Sequence, residues 1–96
     1  MTPKKDSQIS IITVTGKDTV GIIARLANIM AKANINIVDV NQKIMSDFFV
    51  MTMAVDFAHA KFEMAQVKKQ LDKAAKEMSL NITLQNENLF KAMHRI

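Results

Sequence analysis

Cysteine and tryptophan are absent from these 96 residues, glycine occurs twice and proline once. Without cysteine there is no disulfide scaffold, no thiolate zinc site and no cysteine nucleophile, and the chain suits a reducing compartment. So little glycine and proline, beside 49% apolar and 23% charged residues, excludes low-complexity and disordered classes and leaves a globular composition. No apolar run approaches the roughly 18 residues of a membrane span. The start, Met1-Thr-Pro-Lys-Lys-Asp-Ser7, is charged without the apolar stretch of a secretory leader. The expectation is a soluble cytoplasmic protein with no membrane partner. The net charge of +4 divides evenly, six basic against four acidic side chains in residues 1–48 and seven against five in residues 49–96, so no basic block stands out along the chain.

What is present is enough for one domain. A chain this short buries only about 60–65% of the surface its unfolded form exposes, so its core is modest and association would help it. Residues 8–15 are dense in β-branched side chains and end at Gly16, which predicts a strand. Over residues 20–33 the period changes: Ile22, Ile23, Leu26, Ile29, Met30 and their neighbours fall within an arc of roughly 160°, opposite Arg25, Asn28 and Lys32, as in an amphipathic helix. Residues 35–45 return to extended character, with a change of phase between Ile37 and Val38 that indicates a bulge or twist. Ser46 and Asp47 make a turn into residues 48–56, the most apolar strand, and the short link predicts an antiparallel hairpin. A second amphipathic helix over 62–78 and a strictly alternating strand from Leu80 to Gln85 follow. Leu89, Phe90, Met93 and Ile96 are spaced for a short terminal helix.

The order βαββαβ predicts an α+β, ferredoxin-like sandwich: a four-stranded antiparallel sheet with two helices on one face. Residues 1–7 are expected as a flexible tail and 8–96 as a single domain including the C-terminal helix. In the third strand Phe49, Met51, Met53 and Val55 point one way and Phe48, Val50, Thr52 and Ala54 the other, so both faces are largely apolar. The helices cover one; a second copy of the chain, or the terminal helix, is expected over the other.

The most specific feature is Gly16-Lys-Asp-Thr-Val-Gly21-Ile-Ile, between the first strand and the first helix. Two glycines around Asp18 allow a tight turn and close approach of another group. The N–H groups and positive dipole end of the helix suit a carboxylate or other anion. The dinucleotide and ATP loops do not fit, since Gly-x-Gly-x-x-Gly is absent and Ile22-Ile23 stands where Lys-Ser/Thr should follow the second glycine. The same residues have structural readings beside the functional one. Asp18 or Thr19 is of the type that caps a helix, Gly21 could serve close helix–sheet packing, and Asn36 could be an ordinary satisfied strand residue. His59 and His94 lack acidic or histidine neighbours at ligand spacing and read as surface residues, so no metal site is expected.

These residues resemble the ACT domains, regulatory modules that bind amino acids and other small ligands. The resemblance rests on a strand ending in Gly-x-Asp-x-x-Gly-Ile at Gly16 to Ile22, an amphipathic helix, then Ala33-Asn-Ile-Asn-Ile-Val-Asp39 entering the second strand, and it spans roughly residues 8–86. The ending from Leu89 to Ile96 is similar to that of small stand-alone members related to the glycine cleavage system repressor. The resemblance implies a homodimer with an amino-acid ligand between subunits and no cofactor. Asp18 would face the ligand's ammonium, Thr19, Val20, Gly21 and Ile22 would offer backbone N–H groups to its carboxylate, and Asn36 would reach in from the strand of the other copy. The signal would pass through the dimer surface or to a separate enzyme or regulator. Val20 departs from the pattern, because many ligand-binding members have proline there. Asp18 stands where others often have asparagine.

Two other classes were weighed. Catalysis finds no Ser-His-Asp or paired-glutamate constellation among two isolated histidines and scattered acids. An RNA-recognition module shares the topology, but its third strand needs Lys/Arg-Gly-Phe/Tyr-Gly/Ala-Phe with outward aromatics; here Asp47 precedes Phe48 and Phe49 on opposite faces, and the first strand has no aromatic. No nucleic-acid partner is expected. A ligand-free dimerisation module stays open as the alternative within the family.

Overall fold

In the computed structural model, which describes residues 7–87, the β-branched run forms β1 (Ile9–Lys17), and Gly16 pairs within the strand rather than ending it. The amphipathic stripe forms α1 (Ile22–Lys32). It begins two residues later than periodicity suggests because Gly21, at φ 94° and ψ 4°, is the last residue before the helix and Val20 turns out at 97% exposure. The chain continues through β2 (Asn36–Met45), β3 (Phe48–Asp56), α2 (Met64–Met78) and β4 (Leu80–Asn86). α2 starts at Met64 rather than 62 because Glu63 and Gln66 form a reciprocal capping box, the Glu63 N–H donating to Gln66 Oε1 at 3.0 Å. The tail over residues 1–6, the terminal helix and His94 lie outside the described residues.

The four strands form one antiparallel sheet in the order β2-β3-β1-β4, so β1 and β3 are central and β2 and β4 are edges. This is the ferredoxin-like βαββαβ arrangement. Register sets which side chains face the helices. Ser10, Ile12 and Val14 of β1 lie opposite Val55, Met53 and Met51 of β3 and opposite Asn86, Leu84 and Ile82 of β4. Leu26, Ile29 and Met30 of α1 and Val67, Leu71 and Ala74 of α2 close over them, and every one of these six is buried. Ile12, Leu26, Met30, Met51, Met53 and Leu71 are the bulkiest of the fully buried side chains, each at most 1% exposed.

The phase change in β2 is a bulge. Ile37 pairs with Val55 and Asp39 with Ala54, leaving Val38 as the extra residue. Without it Asp39 would turn toward the helices and Val40 away; with it Val40, Gln42 and Ile44 form the helix-side row of β2. α1 leaves this row open: Val40 is 41% and Ile44 55% exposed. On β3, Phe49, Met51, Met53 and Val55 face the helices and are buried, whereas Phe48 is exposed and Val50, Thr52 and Ala54 are half-buried.

Candidate functional site

β1 and α1 are joined by a turn whose geometry comes from its two glycines. A Cβ on Gly16, at φ 152°, would come within 2.8 Å of Leu80 Cδ2 and 3.4 Å of the Ser79 carbonyl, so Gly16 lets β4 begin close against β1. A Cβ on Gly21 would meet nothing within 4 Å. The packing reading of Gly21 is therefore wrong, and its left-handed backbone alone requires glycine. Neither Asp18 nor Thr19 caps the helix. Gly21 holds the cap position with no side-chain hydrogen bond, and the Thr19 hydroxyl donates instead to the Lys17 carbonyl at 3.2 Å. The first backbone bond of α1 runs from the Arg25 N–H to the Gly21 carbonyl at 2.9 Å. The N–H groups of Ile22, Ile23 and Ala24 precede it and point out of the helix start, with no acidic side chain in that first turn.

The loop is tied across the sheet. The Asp18 N–H donates to the Asp47 carbonyl at 2.7 Å, linking it to the β2–β3 turn. Between this link, the start of α1 and the open row of β2 lies a cavity of about 350 Å³. Phe49 forms its floor at 3% exposure, Ile22, Ile23 and Ala24 form one wall, Gln42 and Ile44 the other, and Asp18 and Thr19 stand at its polar end. Four of the expected ligand residues, Asp18, Thr19, Gly21 and Ile22, thus line one cavity. Gly16 lies below it against Leu80, and Val20 projects into solvent. Asn36 is at the other end of β2, about 20 Å along the strand at roughly 3.3 Å per residue, where it lines a separate cavity with Asn34 and His59.

Gln42, Ile44 and Phe49 were missed as site residues. They meet the loop only through strand register. The one local signal was Gln42, a polar residue in the helix-side row between Val40 and Ile44. A larger cavity, about 520 Å³, lies at the opposite end of the sheet among Ile9, Phe57, Phe62 and Met64, but its walls run out at Ser7 and Glu87, the two ends of the described chain. The lining residues of the loop cavity all lie well within the described chain and include the specific motif. Among the described residues no three His, Asp or Glu side chains gather as metal ligands, and no helix is long and apolar enough to cross a membrane.

A small βαββαβ domain with a ligand-sized cavity at the uncapped start of its first helix is the class these features define. The chain belongs to the ACT domain family, whose family model matches residues 8–85 and whose members are commonly regulatory ligand-binding modules. It is 42% identical over 86 residues to a UPF0237 protein of Methanocaldococcus jannaschii, covering 90% of this chain and 96% of that one. Among solved structures it is similar to an ACT domain protein from Streptococcus pneumoniae, at 27% identity and a TM-score of 0.74 over 93% of this chain and all of the other. The fold is shared with a putative glycine cleavage system transcriptional repressor at 20% identity and a TM-score of 0.73, over 85% of this chain and 47% of that longer one.

Proposed function

We propose that this protein is a regulatory ACT domain that works as a homodimer, binds an amino acid or similar small metabolite at the β1–α1 loop, and passes the binding event to a separate enzyme or regulator. The cytoplasm is the compartment this reading assigns to it, and it performs no catalysis of its own. The observation that carries the reading is the cavity between the uncapped start of α1 and β2. The backbone donors of Ile22, Ile23 and Ala24 suit a ligand carboxylate, and the Asp18 side chain suits its ammonium.

The second copy is supported by the edge. β2 is ten residues long, hydrogen-bonded on one side only to β3, and carries exposed Val40, Ile44 and Met45, a template for another strand. Two β2 edges paired antiparallel about a two-fold axis would run the Asn36 end of the partner subunit's β2 beside the Ile44 end of this one. Asn36, level with Asp56, lies on the sheet face away from the helices, so the pairing brings its end of the strand to the cavity's open side and not its side chain into the cavity's row.

Thermal unfolding against a panel of amino acids, purines and metal ions tests the reading. A ligand at 100 times its dissociation constant adds about 2.7 kcal/mol, which raises the midpoint by several degrees in a domain this small. Asp18→Ala should abolish the shift while leaving the unliganded midpoint within a degree or two, because Asp18 is exposed. A shift that survives Asp18→Ala would contradict the site.

A further inference from the structure

We infer that the loop cavity selects an α-amino acid with a large apolar side chain, of the leucine, isoleucine, methionine or phenylalanine class, over small or acidic ones. The inference rests on the ligand-binding reading above and names the ligand class within it. The polar side chains of the cavity are Asp18 and Thr19 from the loop and Gln42 from β2. Beyond them the surface is hydrocarbon, with Ile23 on α1, Ile44 on β2 and Phe49 beneath. Ile23 is 41% and Ile44 55% exposed although both flank the cavity, so an apolar group placed between them removes surface from water on both sides.

Size and charge narrow the class. About 350 Å³ within one chain is at the small end of ligand sites, the scale of a single amino acid. Glycine or serine would leave the hydrocarbon walls wet. An acidic side chain would be driven against Ile23, Ile44 and Phe49 with no cation among the cavity's residues to meet it, while Asp18 repels it at the entrance. Gln42 is the one polar residue of the β2 wall: it stands opposite Met51 in the helix-side row between Val40 and Ile44, and its amide offers a donor and an acceptor to the ligand.

Calorimetric titration of the full chain with glycine, serine, alanine, aspartate, leucine and phenylalanine, alongside thermal unfolding in each, tests this. At roughly 0.8 kcal/mol for each buried methylene, leucine should bind at least tenfold more tightly than alanine. Ile23→Ser and Ile44→Ser should each reduce that preference severalfold, weakening leucine binding more than alanine binding. Both positions are exposed enough for the variants to fold, and Ile23 lies off the β2 edge, so its effect is independent of pairing. If glycine, serine or aspartate binds as tightly as leucine, or if the serine variants keep the full preference, the inference is overturned and the amino-acid reading stands. If no amino acid binds or shifts the midpoint, both are overturned.

Discussion

Gly16 and Gly21 carry the same motif for different physical reasons. At Gly21 only the backbone matters: φ is 94° and the space around a Cβ is empty, so Gly21→Ala should cost about 1 kcal/mol, the left-handed penalty for an L residue. At Gly16 a side chain meets both an unfavourable φ and Leu80 Cδ2 at 2.8 Å, so Gly16→Ala should cost more, roughly 1–3 kcal/mol. Urea unfolding of the two variants checks the order, and equal losses would contradict it. The glycine spacing was legible in the sequence because left-handed turns demand glycine whatever surrounds them. The fate of Asp18 and Thr19 was not. Ser, Thr, Asp and Asn look alike before a helix, and only the position of Gly21 shows that neither caps α1.

Elements were legible wherever periodicity was strong. The apolar stripe of α1, the alternation of β4 and the phase slip in β2 correspond to features of the fold, the last as the bulge at Val38. Boundaries moved by one or two residues where caps decide them, at Gly21 and Glu63. The β2 half of the site was illegible because Gln42 and Ile44 join the loop through pairing with β3, which no local pattern encodes. The pairing of the two helices is equally non-local. Arg25 Nη2 donates to Glu77 Oε1 at 2.6 Å, joining α1 to α2. That hydrogen bond, aided by the charges of Arg25 and Lys73 and opposed by desolvation, holds the Glu77 carboxyl below its ordinary value. A depressed carboxylate contributes stability above its unfolded pKa and loses it as pH falls through the folded one. The midpoint difference between the native chain and Glu77→Gln should therefore be present near pH 7 and shrink as pH falls below the ordinary carboxylate range; it will be small, because both side chains are solvent-accessible. A difference unchanged across that range would contradict the pairing.

At the scale of the molecule, charge is sorted by layer although it is even along the chain. α1, α2 and the loop before α2 carry Arg25, Lys32 and five further lysines against Glu63, Asp72 and Glu77, a net +4, while the four strands and the loops beside them carry Lys17 and Lys43 against Asp18, Asp39, Asp47 and Asp56. The halves balance because each includes one helix and two strands. Exposed apolar side chains are sorted too: Val20, Ile23, Val40, Ile44, Met45 and Phe48 all lie on the β2–β3 hairpin or the start of α1, next to the loop cavity. A second copy along β2 would cover much of this surface and supply the cavity's missing side. Sedimentation equilibrium of the full chain at tens of micromolar tests this most directly, with Val40→Lys beside it to place a charge on the edge. We expect twice the 10.8 kDa chain mass for the native protein and the single-chain mass for the variant. A single-chain mass for the native protein would contradict a ligand site built from two copies.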